Sequence, residues 1–210
     1  MTSKRLLALI AIVFAGAFLR LAYIRLPFPG FEGGVNFAPI GALAIFAGMS
    51  FRDKRIAFGL PLLCTFLVDL ILGLQNNDLR AYLFNPMMLF VYASWIAYVG
   101  VGLVVRHGWQ TGADGQKKQK PSLLKGAILL GGSLTGSILF FLISNLGWWA
   151  TSSLYPKSIA GLADCYVAAI PFFPPTIVGD LLYVFGLVAM TSVIGAFTIG
   201  DEPAPQLSAD

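Results

Sequence analysis

Long apolar segments, separated by short polar ones, constrain the fold of this chain more than any other feature. A membrane-spanning helix needs about 20 consecutive, mostly apolar residues. Six segments meet or approach that length: residues 6–26, 37–51, 56–74, 84–105, 123–149 and 176–199. The sequence therefore predicts an all-α integral membrane protein, in which residues 1–200 form a single domain, a bundle of six transmembrane helices.

The composition favours a protein that is solvated mainly by lipid. Of the 210 residues, 57% are hydrophobic and only 11% are charged, whereas soluble domains carry about 25% charged residues. The two cysteines, Cys64 and Cys165, are too few for a disulfide framework, and we expect each to be a small packing residue. The lipid bilayer is therefore the first partner that the sequence implies.

The distribution of Lys and Arg predicts the orientation. With six spans both termini lie on one side, and that side carries ten of the 14 basic residues. Because cytoplasmic loops are enriched in Lys and Arg, we expect both termini in the cytoplasm and a multi-pass protein of the inner, or plasma, membrane. The net charge of +4 is then a topology signal, and no nucleic acid partner is expected. Residues 201–210 are polar and contain prolines, which predicts a disordered cytoplasmic tail.

The first segment also resembles a secretory signal peptide. The stretch "KRLLALIAIVFAGA" combines a basic start with an apolar core, and small residues occur at Ala15 and Ala17. Apolar sequence continues beyond it through Tyr23, which favours a retained span over a cleaved one. Cleavage would leave the orientation of the later spans unchanged.

One stretch on the predicted outer side has the periodicity of an amphipathic helix. In "YPKSIAGLADCYVAAIPFF", apolar residues recur at the spacing i, i+3, i+4, i+7 from Ile159. Pro156 suits the first turn of such a helix, and Pro171 and the pair Pro174–Pro175 end it. Residues 159–169 are too few to span. They are expected to lie on lipid or to cover the outer end of the bundle, between the fifth and sixth spans.

Polar side chains from five spans are predicted to share one depth. Counted from the predicted outer ends, Asp180 and Asn145 lie about 6 Å inside the bundle and Asp69 lies about 7–8 Å inside. Asn36 and Arg20 stand near the outer ends of two further spans. A charged group at the centre of a bilayer costs about 2.5–3.5 kcal/mol, so these groups are expected to face the interior of the bundle.

Two interpretations of this polar layer stay open. In the structural one, an Arg–Asp pair and amide hydrogen bonds hold the helices together. In the functional one, the layer is a pocket, open to the outside, for a small polar solute. The carboxylates would contact donor groups or a cation on that solute, and a lysine would contact an anionic group. The predicted lining is Asn36, Asp69, Asn145, Tyr155, Lys157 and Asp180.

Small residues four positions apart occur in two spans. Gly132 and Gly136 in the fifth span predict close packing against another helix of the same chain. Ala11 and Ala15 in the first span form a similar pair. This second pair is expected to face either a neighbouring helix or a partner protein.

Several functional signatures are missing from the sequence. It contains no glycine motif for binding phosphates or dinucleotides, and no His/Cys cluster typical of a metal site. Its single histidine, His107, lies far from the polar layer. We therefore expect no enzymatic activity, no bound metal and no cofactor.

Four stretches together resemble a known family: "NFAPIGALAIFAG", "FFLISNLGWW", "YPKSIAGLADCYVAAIPFF" and "GDLLY". They are similar to an uncharacterised bacterial integral-membrane family, a domain of unknown function that is catalogued as a transport protein. The resemblance covers roughly residues 20–195. It implies transport and carries little mechanism.

The expected architecture also resembles the S component of energy-coupling factor vitamin transporters. In that group a six-helix membrane protein captures a small molecule outside, and separate coupling and ATPase subunits drive its release inside. The small-residue motif of the first helix contacts the coupling subunit, a role that would fall here on Ala11 and Ala15. This resemblance implies an S-component-like transport protein. A membrane scaffold subunit and an ion-coupled secondary transporter stay open as alternatives.

Overall fold

The computed structural model describes residues 3–23, 39–110 and 122–193, and every regular element in these ranges is helical. A short 3-10 turn, Ile170–Phe172, joins the last two helices. In chain order the α-helices are α1 Ser3–Tyr23, α2 Ile40–Ser50, α3 Lys54–Gln75, α4 Leu79–Leu83, α5 Met87–Gln110, α6 Ser122–Thr151, α7 Ile159–Ala169 and α8 Phe173–Val193. The all-α prediction is confirmed for this part of the chain. The predicted tail at 201–210 lies outside the described residues.

Four stretches of helix are long and apolar enough to cross a membrane. They are Lys54–Gln75, Met87–Gln110, Leu123–Thr151 and Ile159–Val193, the last of which holds both α7 and α8. α1 is 21 residues long, and α2 is a shorter apolar helix. The membrane-like helical architecture is therefore confirmed, whereas the count of six spans and the cytoplasmic position of the termini stay predictions.

The short helix α2 lies at the centre of the bundle. Its residues from Ile40 to Met49 are all buried, because α1, α3, α5, α6 and α8 pack around it. A helix that is apolar on every side is stable only where it is enclosed on every side. Its 11 residues extend about 16 Å, which is less than the roughly 30 Å of a hydrocarbon core. The stretch 37–51, predicted as a full span, therefore contains a short central helix.

At its C-terminal half, α2 meets α5 backbone to backbone. Gly48 faces the carbonyl of Val99, and Gly102 faces the carbonyl of Ile45, so that a Cβ atom on either glycine would overlap the opposite chain. Arg106 closes the crossing, since its Nη1 donates a hydrogen bond of 2.9 Å to the carbonyl of Phe51. We call this region around Gly48 and Gly102 the packed end of the bundle.

The two small-residue pairs lie in different environments. Gly132 packs against Val105, and a Cβ atom on Gly136 would lie 2.5 Å from Cε1 of Tyr98. The predicted packing of this pair within the chain is confirmed. Ala11 and Ala15, by contrast, lie on the exposed face of α1, opposite the face that is buried in the bundle.

The helix predicted at residues 159–169 is confirmed with its bounds, because α7 runs over Ile159–Ala169, but the apolar side chains of its predicted stripe are largely exposed. Its start differs in detail from the prediction: Pro156 lies before the helix, and the Ser158 hydroxyl caps it by accepting from the Gly161 N–H at 3.2 Å. Pro171 lies in the 3-10 turn. The pair Pro174–Pro175 lies in the first turn of α8, where helices tolerate proline.

Both cysteines are free and buried, as the sequence predicted. Cys64 packs within the hydrophobic core. Cys165, on α7, directs its Sγ at the carbonyl of Asn145 on α6, at 3.6 Å. The two residues are therefore packing residues on separate parts of the bundle.

Candidate functional site

A cavity of about 600 Å³ opens between α2, α3, α5, α6, α7 and α8. Four of the six predicted site residues line it: Asp69, Asn145, Tyr155 and Asp180. They come from α3, α6, the connection between α6 and α7, and α8. The two carboxylates therefore share one cavity. We call this part of the molecule the cavity end.

Asp180 is a buried carboxylate of the site, and its hydrogen-bond partners are defined. Its Oδ2 accepts hydrogen bonds from the Tyr98 hydroxyl at 2.5 Å and from the Ser137 hydroxyl at 2.7 Å. The side chain is only 3% exposed, and it forms no ion pair with any residue that the structure describes. The two donors are neutral hydroxyls, so this carboxylate is solvated by dipoles rather than by a cation.

The other carboxylate oxygen of Asp180 lies against the start of α2. A Cβ atom on Gly41 would lie 2.5 Å from Oδ1 of Asp180 and 2.9 Å from Cζ of Tyr98. Gly41 is the second residue of α2, where the positive end of the helix dipole favours an anion. The missing side chain of Gly41 thus lets a carboxylate and a phenol ring approach the helix terminus together.

Tyr98 is held in position by glycines on two helices. Its ring lies against Gly41 of α2 and against Gly136 of α6. The residue is 1% exposed. These two contacts help to fix the ring with its hydroxyl directed at Asp180.

Asp180 lies deeper than the sequence predicted. Tyr98 is the twelfth of the 24 residues of α5, and Ser137 is the sixteenth of the 30 residues of α6. Their hydrogen bonds to Asp180 place this carboxylate near the middle of both helices, rather than about 6 Å inside the bundle. The prediction counted only from the expected start of the last span at residue 176, whereas α8 begins at Phe173 and α6 continues to Thr151, where α7 packs against it.

Asp69 and Asn145 line the same cavity from different helices. Asp69 on α3 is 2% exposed. Asn145 on α6 is half-buried, and its Nδ2 donates a 2.7 Å hydrogen bond to the Phe141 carbonyl one turn earlier. Both residues therefore present polar groups to the cavity from within helices.

Aromatic rings form much of the cavity wall. Trp95 stacks on Phe140 with ring centroids 5.2 Å apart, and it lies 5.6 Å from the ring of Tyr98. The indole N–H of Trp95 is buried and has no acceptor among the described residues. Buried donors normally have a partner, so this N–H is a group that a bound solute could satisfy. The rings that line the cavity are Trp95, Tyr98, Phe140, Phe141, Trp148, Tyr155 and Phe172.

Lys157, predicted as an anion-binding residue, is not among the residues that line the cavity. Its ammonium donates to the carbonyls of Trp149 and Ser152. The same ammonium lies 5.3 Å from the centroid of the Trp149 ring. The final carbonyls of a helix have no partner within the helix, so this lysine is directed to the C-terminal end of α6 instead of into the cavity.

Two predicted members of the polar layer cannot be placed. Asn36 lies outside the described residues, and so does the side chain of Arg20. The proposed Arg–Asp pair is therefore not part of the described structure. The observed partners of Asp180 are Tyr98 and Ser137 instead.

Sequence reasoning missed the groups that hold Asp180. Tyr98, Ser137 and Gly41 each stand in an apolar stretch where a single polar or small residue carries little signal. One pattern could have found Ser137: buried serines recur along one face of α6 at 133, 137 and 144. Such a stripe of small polar residues inside a membrane helix favours contact with another polar group.

The site offers no evident metal centre. Among the described residues, no three His, Cys, Asp or Glu side chains lie close enough together to hold a metal ion. The arrangement is therefore that of a cavity with two carboxylates, amide and hydroxyl groups, and aromatic walls.

Comparisons with known proteins agree with membership of an uncharacterised family. No curated protein and no solved structure matches the chain. One family model, described as a family of unknown function (DUF6580), matches residues 1–201. Since this match covers nearly all of the 210 residues, the chain belongs to that family of unknown function, DUF6580.

Proposed function

We propose that this protein is a membrane transport protein whose cavity binds a small polar solute from the outer face, in the manner of an S component. One observation carries the proposal: Asp69, Asn145, Tyr155 and Asp180, which are far apart in sequence, line one cavity. If these polar groups served only to hold the helices together by hydrogen bonds, no cavity of this size would be needed between them. The volume of about 600 Å³ lies within the range of small-molecule sites.

α7 is the element that would control access to this cavity. Cys165 and Ala168 of α7 line it. The helix is held to α6 through the Tyr166 hydroxyl, which donates 2.7 Å to the Leu142 carbonyl, and through the contact of Cys165 with Asn145. These few polar contacts between two helices suit a cover that opens and closes.

Coupling and ATPase subunits would be the partners of such a protein. α1 is the helix that would meet them, because Ala11 and Ala15 lie on its exposed face. Small residues let a second helix approach closely. The protein would reside in the inner membrane with both termini in the cytoplasm, as the Lys and Arg distribution predicts.

An ion-coupled secondary transporter is the second candidate. The observation that favours it is the depth of Asp180, because carboxylates in the middle of membrane bundles often bind protons or cations during transport. In that case Asp180 would take up and release a proton, with Tyr98 and Ser137 as its hydroxyl neighbours.

A solute screen tests the proposal. The thermal stability of the purified protein in lipid nanodiscs is measured against vitamins, nucleobases, amino acids and cations. A solute present at 100 times its Kd should add about 2.7 kcal/mol of stability. The stabilisation should disappear in Asp180→Asn and in Asn145→Ala, and it should persist in Asp164→Asn, which changes an exposed aspartate of α7 outside the cavity.

Three outcomes separate the candidate functions. Stabilisation together with uptake that needs co-purified subunits and ATP supports the S-component-like function. Uptake by the chain alone in proteoliposomes, driven by an ion gradient, supports the secondary transporter. Co-purified partners without stabilisation by any solute would contradict both and would favour a scaffold subunit.

A further inference from the structure

We infer that the solute is an organic cation with a flat or apolar body, an inference that rests on the proposed function and specifies its substrate class. The first argument is charge. Asp69 and Asp180 line the cavity, and the described residues that line it include no Lys, Arg or His. An anionic solute would meet these carboxylates, whereas a cation would compensate the charge of Asp180, whose partners among the described residues are two neutral hydroxyls.

The environment of Asp180 makes this argument specific. Its Oδ2 already accepts from two hydroxyls, and Oδ1 lies at the boundary with Gly41, which itself lines the cavity. Hydroxyls and a helix terminus stabilise a buried carboxylate only in part. A positively charged group on the solute would supply the compensation that the described side chains do not.

The aromatic wall supplies the second, independent argument. Trp95, Tyr98 and Phe140 form a cluster with centroid separations of 5.2 to 6.2 Å. Faces of such rings attract cations, most strongly where both partners are removed from water. Trp95 is only 7% exposed, and its unpartnered N–H would donate a hydrogen bond to a hydroxyl or carbonyl oxygen of the solute.

A bare metal ion fits this cavity less well than an organic cation. Small hard cations need several oxygen ligands at about 2–2.6 Å, and the described residues hold no group of three suitable side chains. A cavity of about 600 Å³ with aromatic walls instead fits a molecule with an extended apolar body. The charge would lie beside the carboxylates and the body beside the rings.

Series of probes that share one shape and differ in charge test the inference. We would measure the binding of tyramine, tyrosol and 4-hydroxyphenylacetate, which carry a cation, a neutral hydroxyl and an anion on the same phenol. Tryptamine, tryptophol and indole-3-acetate form a second series. The measurement is the Kd of each compound for the full chain in nanodiscs, by calorimetry and by thermal shift.

The expected result is that the cation of at least one series binds about tenfold or more tightly than its neutral counterpart, with the anion weakest. Asp180→Asn or Asp69→Asn should reduce that preference to about threefold or less. Asp164→Asn should leave it unchanged. Using both cavity variants keeps the test decisive if one of them fails to fold.

Results that contradict the cation inference can be told apart from results that contradict the proposed function. If the neutral or anionic member of a series binds best, or if the solute screen yields only neutral or anionic ligands, the cation inference is wrong and the solute site remains. If neither the series nor the screen yields a ligand, both are wrong. A cation preference that survives in both Asp→Asn variants would also overturn the inference, because its cause would lie elsewhere.

Discussion

The two ends of the central helix α2 show how differently one helix can be packed. At the packed end, Gly48 and Gly102 bring the backbones of α2 and α5 into contact, with no room for a side chain. At the cavity end, Gly41 makes similar room, but a carboxylate and a phenol fill it. The same residue type therefore closes the bundle at one end and admits polar groups at the other.

This difference separates a region that stabilises the bundle from the region that holds the proposed site. Close contacts between the backbones at the glycines gain van der Waals packing without burying a carboxylate. The packed end can therefore hold the helices together. The cavity end buries Asp69 and Asp180, which costs stability in a membrane. The buried carboxylates at the cavity end lower stability, and the glycine contacts at the packed end raise it. This combination suits a binding site that is held in place by the rest of the fold.

The largest predicted effect comes from breaking the packed end. Gly102→Ala places a methyl group against the carbonyl of Ile45 and should lower the free energy of unfolding by about 3 kcal/mol. Gly100→Ala on the same helix is the matched control, since a Cβ atom there meets nothing within 4 Å. It should be neutral, or stabilising by up to about 1 kcal/mol. Thermal unfolding of both variants in detergent measures the difference, and equal stabilities would show that the crossing is not close.

The next effect concerns the hydroxyl partner of Asp180. Tyr98→Phe removes the 2.5 Å hydrogen bond and leaves the buried carboxylate less well solvated, which should cost about 2 kcal/mol. Tyr166→Phe is the comparison, because that hydroxyl donates to the neutral carbonyl of Leu142. It should cost about 1 kcal/mol or less. If Tyr166→Phe lost more stability than Tyr98→Phe, the hydrogen bond that holds α7 to α6 would matter more to the fold than the hydrogen bond to Asp180.

A smaller loss of stability, with a large loss of binding, should follow from Gly41→Ala. The new methyl group would displace Oδ1 of Asp180. Because both the carboxylate and the Tyr98 ring must shift by a small amount, the stability cost should be about 1.5 kcal/mol, whereas the cationic probe should bind at least about tenfold more weakly. Gly59→Ala on α3, where a Cβ atom meets nothing within 4 Å, should change neither quantity. Unchanged probe binding in Gly41→Ala would contradict the role of this contact.

The smallest effect is expected outside both regions. Lys157→Gln removes the ammonium that contacts the carbonyls of Trp149 and Ser152 at the end of α6. The loss of stability should be about 0.5 kcal/mol, and the Kd of the cationic probe should not change. A marked change in probe affinity, measured by calorimetry, would return Lys157 to the binding site that the sequence assigned to it.

Apolar length and periodicity predicted most of the helices, because burial and lipid contact act on whole segments. α7 was predicted with its bounds from the apolar spacing and the flanking prolines. The length of α2 was not predictable in this way. Its residues are apolar and buried on every face of the helix, so the sequence shows no alternation of polar and apolar residues that would mark where the helix begins.

Part of the cavity lining was predicted, for a similar reason. Charged and amide groups are conspicuous in apolar sequence, so Asp69, Asn145 and Asp180 were found. The position of a neutral hydroxyl or a glycine depends on which helices cross, and only the tertiary structure shows that Tyr98 reaches Asp180. Lys157 was expected in the cavity, but its ammonium binds the free carbonyls at the C-terminal end of α6. Sequence composition does not reveal this alternative.

The most direct test of the account compares the parent protein with Asp180→Asn, each with and without the cationic probe. If Asp180 belongs to a binding site, the variant without probe should be at least as stable as the parent. Removal of a buried charge relieves its desolvation, and the amide keeps the shape of the side chain. The stabilisation by the probe should be lost at the same time. The account would be contradicted if Asp180→Asn were destabilised by several kcal/mol and no solute stabilised the parent protein. Asp180 would then be a residue that only holds the helices together.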